Sequence, residues 1–271
     1  MTATLEFLRK IPKVMIHDHL DGGLRAETVL DLAKKHGYNK LPTEDPIKLK
    51  EFFESGAQRG DLPLYLEGFC HTVGVMQTED ALERVAYETL EDMMNDGVYY
   101  LETRFAPLIH MEKGLTPEAV VSAVLRGLEK GKQDFNVHYG LILAAMRHMQ
   151  PADSLKVAEL AVKFRSQGVV GFDFAGAEKG FPVIQHIEAF NYITKHHFNS
   201  TIHAGEAFGI ESIRQAVNSG AHRIGHGTKL VEDMVLTEDG IVRTMGTLAQ
   251  YVLDKRIPLE ICLTSNLHTG E

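Results

Sequence analysis

Apolar and polar positions along the 271 residues follow two alternating rhythms. Short apolar or β-branched runs read as strands: VMIHDHL (14–20), VYYLETRFAP (98–107), VHYGLILAAMRH (137–148), VVGFDFAGAE (169–178), STIHAGE (200–206), RIGHG (223–227) and IPLEICLTSN (257–266). Between them, apolar residues recur at helical spacing in TPEAVVSAVLRGLEKGKQDF and in SLKVAELAVKFRSQG. The same spacing places Ile210, Ile213, Ala216 and Val217 on one helix face, stopped by Gly220. Strands alternating with helices in this way predict a βα pattern. Nearly every expected strand turns polar at its C-terminal end, which favours a (β/α)8 TIM-type barrel over a doubly wound sheet. Only seven of its eight strands are visible, and with no repeat, low-complexity tract or linker the chain is expected to form one domain over 1–271.

The stretch 25–96 breaks the rhythm, because it is helical throughout and too long for a single crossover. AETVLDLAKKHG is amphipathic with a stop at Gly37, Pro42 and Pro46 mark a loop, and TEDALERVAYETLEDMMNDG leads back to the sheet. This is a helical insertion after the first strand, at the edge where such folds carry their chemistry. Its most apolar part, LPLYLEGFCHTVGVM (62–76), reads either as ordinary packing or as a lid over an aromatic substrate.

The polar strand ends supply candidate chemistry. His17 and His19 are two apart, so on a strand they share one side while Asp18 turns away. Paired neutral imidazoles suit zinc, although the pattern alone also fits a structural role. Asp21, beside Gly22 and Gly23, is either a binding carboxylate or the N-cap of the helix starting near Leu24. His203 and Glu206 end one strand and His226 ends the next. At one sheet edge these three suit a metal ligand, a proton donor and a general base.

Composition narrows the partners. A net charge of −9 and a pI near 5.9 argue against nucleic acid and anionic membranes, so the expected partner is a small molecule. Two distant cysteines, Cys70 and Cys262, make no disulfide framework and fit a reducing cytoplasm. MTATLEFLRKIPK has no signal-peptide core, and no apolar run reaches membrane-spanning length. A cytoplasmic location follows as an expectation; the oligomeric state is not readable.

With these residues in place, the chain resembles the adenosine deaminase family. The motifs that carry the resemblance are HDHLDGGLR (17–25), ETRFAP (102–107), MRH (146–148), DFAGAE (173–178), HAGE (203–206), HRIGHG (222–227) and EICLTSN (260–266). They fall in family order across essentially the whole chain, and HAGE with HRIGHG behind HxHLDG is a specific set. The cysteine-pair signature of the zinc deaminases that act on flipped bases is absent.

The resemblance implies a cytoplasmic, zinc-dependent hydrolase of purine salvage, converting adenosine and 2′-deoxyadenosine to inosine, 2′-deoxyinosine and ammonia through zinc-activated water attacking purine C6. It makes His17, His19 and His203 zinc ligands, Glu206 the proton donor to purine N1, and His226 the group that orients or deprotonates the attacking water. It places His19 beside the substrate, Asp21 on the ribose 5′-hydroxyl, the backbone of Gly176 against the purine, and Leu62, Tyr65, Leu66 and Phe69 in an apolar lid. A protonated Glu206 at N1 requires burial, since an ordinary Glu near pKa ~4.3 is ionised at neutral pH.

Two departures stand out. Leu263 replaces the family's usual Pro, and the two aspartates that end the family's final strand, one of them a zinc ligand, have no counterpart after Asp254. The expectation is a chain truncated at its C-terminus, weakly active at best. Rival readings are deaminases of free adenine, adenosine monophosphate or other 6-aminopurines, a catalytically dead relative, and a zinc amidohydrolase with another substrate. Asp21 separates the first group, because a carboxylate repels a 5′-phosphate.

Overall fold

In the computed structural model, which describes residues 4–58, 60 and 68–269, the two rhythms become alternating elements. Helix α1 (Leu5–Lys10) precedes β1 (Lys13–His19), and among the described residues four helices follow: α2 (Ala26–His36), α3 (Pro46–Ala57), α4 (Phe69–Val75) and α5 (Glu79–Asn95). Then come β2 (Val98–Phe105), α6 (Pro117–Phe135), β3 (His138–Met146), α7 (Pro151–Lys163), β4 (Val169–Ala175) and α8 (Ile187–Lys195). The last part holds β5 (Thr201–Ala204), α9 (Ile210–Asn218), β6 (Arg223–His226), β7 (Met234–Leu236), β8 (Val242–Met245), α10 (Thr247–Lys255), β9 (Leu259–Glu260) and α11 (Leu263–Thr269). One sheet has the order β1-β2-β3-β4, a second β5-β6-β9, and β7-β8 is a hairpin. Parallel pairing joins β1 to β2, β5 to β6 and β6 to β9. Among the described residues no helix is long and apolar enough to cross a membrane.

The chain divides into two compact units. The first comprises Met1–Gly56, Leu66–Ile142 and Phe164–Val170. Its helices begin and end where local chemistry directs. Thr116 caps α6 by accepting the Ala119 N–H at 3.2 Å, Pro117 opens the first turn, and Asn136 closes it in the left-handed region. Helix α2 buries Val29, Leu32 and Ala33 along one face and ends at Gly37, whose φ is 72°. Helices α5 and α6 touch backbone to backbone at Gly127, where an added Cβ would stand 2.2 Å from the Glu83 carbonyl oxygen. Strand β1 is tied to β2 by polar bonds as well as by the ladder. Arg104 donates to the Ile16 carbonyl at 2.8 Å and Thr103 donates to Asp18 at 2.6 Å.

The second unit comprises Ala57–Tyr65, Leu143–Lys163 and Gly171–Glu271. Phe172, Phe174 and Phe190 are buried together, with edge-to-face ring contacts of 5.5 and 5.6 Å. A parallel bridge between Phe172 and Ser200 links β4 to the residue that enters β5. The two-residue β9 is held by chemistry more than by length. The buried Glu260 carboxylate receives Arg223 at 2.7 Å and the Thr201 hydroxyl at 3.2 Å.

The helical insertion is present as expected in α2 to α5, whereas Leu62, Tyr65 and Leu66 lie outside the described residues. Two features differ from the sequence reading. The seventh strand, expected over 257–266, is confined to Leu259–Glu260 and gives way to α11. There the Asn266 N–H bonds back to the Cys262 carbonyl at 2.8 Å. Leu263 and Leu267, one helical turn apart, are both about three-quarters exposed, at 75% and 76%. The hairpin β7-β8 was not anticipated; its turn uses Gly240 at φ 79°, and the Thr237 N–H pairs with the Ile241 carbonyl at 2.8 Å.

The close approach at Gly127 gives a stability test. Ala has the better helix propensity by roughly 1 kcal/mol, but here its methyl group meets backbone that cannot swing aside. Gly127→Ala is therefore expected to destabilise the protein by about 1–3 kcal/mol, read as a lower urea midpoint with an unchanged slope.

Candidate active site

Within the first unit, β1 delivers His17 and His19 to one side, half-buried, with ring centroids 5.4 Å apart. Between them, Asp18 is engaged by Thr103. Loss of solvent raises its pKa, opposed by that hydrogen bond and by the Arg104 charge. Asp21 sits buried in the turn after β1. It is not the cap of α2: the N-cap residue is Arg25, which makes no side-chain cap bond and instead grips Asp92 and Glu91. The Asp21 carboxylate lies 3.6 Å from Nε2 of His110, a fully buried ring whose Nδ1 donates to the Met76 carbonyl at 3.0 Å. Phe69 stands edge-on to His19 at 6.3 Å. Its ring also covers Gly22, where an added Cβ would come within 2.8 Å.

The second unit brings His203, Glu206 and His226 together. His203 is the third residue of β5, and its Nδ1 lies 3.1 and 3.0 Å from the two oxygens of the fully buried Asp173. That bond holds the proton on Nδ1 and makes Nε2 the ligand-competent nitrogen, the usual arrangement for a metal-binding imidazole. Arg147 steadies the same residue from behind, donating to the His203 carbonyl at 2.6 Å and to that of Phe181 at 2.8 Å. Burial pushes the Arg147 guanidinium down, and the carboxylates of Glu178, Asp173 and Glu206 oppose this.

Glu206 lies two residues beyond β5, in a turn that requires Gly205: φ there is 69°, and a Cβ would strike Ile213 at 2.6 Å. The Glu206 carboxylate is buried, 3.5 Å from Nε2 of His226. His226 ends β6 with φ at 65°, a left-handed conformation that costs an ordinary residue about 1–3 kcal/mol and concentrates at functional sites. Its ring centroid is 5.2 Å from that of His203. Its Nδ1 is 3.1 Å from the Asn266 amide. The contact is made by the amide nitrogen, which donates, so Nδ1 accepts and the ring proton of a neutral imidazole sits on Nε2, the nitrogen that faces Glu206. Gly176 follows β4 at φ 99°, and an added Cβ there would stand 3.3 Å from the Met146 methyl group and 3.7 Å from the Arg147 nitrogen.

Strands alternating with helices and carrying polar side chains at their C-terminal ends place the chain among α/β enzymes, and comparison with known proteins agrees. The Adenosine deaminase family profile matches residues 12–271. Adenosine deaminase 1 of Streptomyces coelicolor is 51% identical over 99% of this chain and 69% of its own length. A crystal structure of adenine deaminase from Arthrobacter aurescens superimposes with a TM-score of 0.80 at 25% identity, over 96% of this chain and 74% of that one. A zinc-bound amidohydrolase from Burkholderia ambifaria shares the fold, with a TM-score of 0.75 at 22% identity over 86% of this chain and 64% of that one. This chain belongs to the adenosine deaminase family. It is an enzyme of (β/α)8 type that hydrolyses adenosine to inosine and ammonia.

Several polar residues at the site had no role in the sequence reading. Asp173, Glu178 and Arg147 all fall within motifs quoted for the resemblance, and their signal was a charge inside or just after an apolar strand. Asn266 likewise closes the quoted motif EICLTSN but carries no charge, and His110 lies in none of the motifs; only folding brings them to His226 and Asp21.

Behind Arg147, Phe174 is sandwiched by the guanidinium at 4.8 Å and by His186 at 4.7 Å, and the His186 Nδ1 is 2.7 Å from the Ser154 hydroxyl. Burial lowers the pKa of His186. The unfolded chain therefore takes up a proton that the folded state refuses, and stability is lost as pH falls below the ordinary histidine value of about 6.5. His186→Gln is expected to flatten this part of the stability–pH curve, measured by urea denaturation across pH ~5 to ~8.

Proposed function

We propose that the chain deaminates adenosine and 2′-deoxyadenosine using Glu206 as proton donor and His226 as the group that orients or deprotonates the attacking water. The observation that carries this reading is the buried pair of Glu206 and His226, 3.5 Å apart, beside a His203 whose Nδ1 is already engaged by Asp173. A carboxyl group shielded from water is suited to deliver a proton to purine N1 as electron density moves there from C6. His226, held from behind by Asn266, is suited to direct a water at C6. Asp21 would accept the ribose 5′-hydroxyl, and the backbone of Gly176 would sit against the purine.

The donor chemistry fits zinc. His17, His19 and His203 are the proposed ligands, and three histidines are an established set for catalytic zinc. The same-side placement of His17 and His19 and the Asp173 bond to His203 support this assignment. When bound, the metal supplies the Lewis acidity that makes water nucleophilic near neutral pH. We further propose that the chain acts as one metal-dependent hydrolase domain over 1–271, in the cytoplasm, with a small-molecule nucleoside as its partner. The unbroken family match over 12–271 supports the first of these.

Glu206→Gln tests the proton donor. It is expected to cut adenosine turnover by roughly 10²- to 10⁴-fold while zinc content and inosine binding persist. Near-normal turnover would refute the assignment. Asp21→Ala tests the nucleoside subsite. Losing a charged hydrogen-bond partner costs about 1.5–3 kcal/mol, so kcat/KM for adenosine should fall roughly 10- to 100-fold. Wild-type protein that turned over adenosine and its 5′-monophosphate equally well would exclude Asp21 from this role.

A further inference from the structure

Glu178 has no part in the chemistry above, yet it is buried and makes more hydrogen bonds than its site requires of a bystander. Its carboxylate lies in the loop after β4 and points at the turn that carries Glu206. One oxygen accepts the N–H groups of Glu206 at 2.8 Å and Ala207 at 3.0 Å. The other accepts the N–H of Gly205 at 2.9 Å and the hydroxyl of Ser212, in the first turn of α9. Consecutive N–H groups converging in this way form an anion-binding concavity, and here a side chain of the same unit fills it. Four donors use the main acceptor directions of one carboxylate. Glu178 is thereby committed to the chain and not to a ligand.

The consequence concerns Glu206. Its own backbone N–H and those on either side are held by one buried charge, while Arg147 holds the His203 carbonyl at the other end of the same HAGE segment. The Glu206 side chain thus leaves a backbone gripped at each neighbouring peptide. We propose that Glu178 is a positioning residue for the proton donor: by clasping residues 205–207 and tying them to α9, it holds the Glu206 carboxyl in register with the purine ring. The proposal rests on the reading of Glu206 as proton donor. Gln at position 178 keeps the shape but turns a donor NH2 against N–H groups, so it breaks the clasp without opening a cavity.

The test uses Glu178→Gln, Glu178→Asp and Ser212→Ala in the full, zinc-loaded chain, with turnover of adenosine, inosine affinity, urea stability and backbone hydrogen exchange as readouts. Displacing a reacting group by about 1 Å costs on the order of 100-fold. Glu178→Gln is therefore expected to lower kcat by roughly 10- to 100-fold, with KM and inosine affinity changed little. In the zinc-free protein, exchange should quicken at the amides of 205–207 and not along β5. Glu178→Asp, which keeps the charge on a shorter arm, should recover part of the loss, and Ser212→Ala should produce a smaller one. In a Glu206→Gln background, adding Glu178→Gln should leave the residual turnover nearly unchanged, because the lost group acts only through Glu206.

Unchanged kcat with loosened 205–207 amides would overturn the proposal. So would equal losses of kcat, inosine affinity and global stability, or full additivity of the two Gln substitutions. If Glu178→Gln does not fold, Ser212→Ala and Glu178→Asp decide by the same kcat-against-KM comparison. Failure of the underlying reading is recognised separately, by Glu206→Gln retaining its turnover.

Discussion

A carboxylate buried away from water must collect its hydrogen bonds from the chain, and the second unit is arranged around that requirement. Glu178 takes N–H groups from Gly205, Glu206 and Ala207 and a hydroxyl from Ser212; Asp173 takes the Nδ1 proton of His203; Glu260 takes Arg223 and Thr201. Removing one partner of such a contact strands a charge and costs several kcal/mol, by the order of magnitude known for buried pairs. The strand ends therefore cannot drift independently. The polar groups that secure β5 and the turn beyond it also hold the backbone and ring of His203 and the backbone of Glu206, the proposed ligand and proton donor.

Backbone conformation imposes a second constraint of the same kind. Gly205, just beyond β5, and His226, at the end of the adjacent parallel β6, both take left-handed φ values, at 69° and 65°, and the Gly227 N–H bonds to the Ala204 carbonyl at 3.0 Å. Glycine adopts such a conformation without penalty; histidine does so at a cost that surrounding contacts must offset. At His226 those contacts include the Asn266 amide and the parallel pairing with β5. The imidazole is turned toward Glu206 because the strand ends in a bend that few other residues would accept.

In the first unit the corresponding arrangement is simpler. Two-residue alternation on β1 is enough to put His17 and His19 on one side, and the Thr103 bond keeps Asp18 from competing with them. Asp21 belongs to the turn, and its neighbour His110 arrives from a short helical turn after β2. Nothing in the spacing between residues 21 and 110 announces that meeting.

Periodicity, turn residues and a handful of short motifs were enough to establish the α/β class, the helical insertion, the family and the identities of His17, His19, Asp21, His203, Glu206 and His226 as site candidates. These are local properties: a period of two sets which side of a strand a residue takes, and a polar residue after an apolar run marks a strand end. The same logic overextended the seventh strand: ICLTSN follows an apolar run, but from Leu263 the chain is helical, with the Asn266 N–H bonded back to the Cys262 carbonyl. The partners of the site residues were decided by tertiary structure alone. Glu178 beneath Glu206, Asn266 behind His226 and His110 beside Asp21 are separated from their partners by 28, 40 and 89 residues, and folding brings each pair into contact. Sequence patterning carries information about which face a residue occupies; which distant group meets it there depends on how the strands and loops are packed, and burial then makes that meeting obligatory.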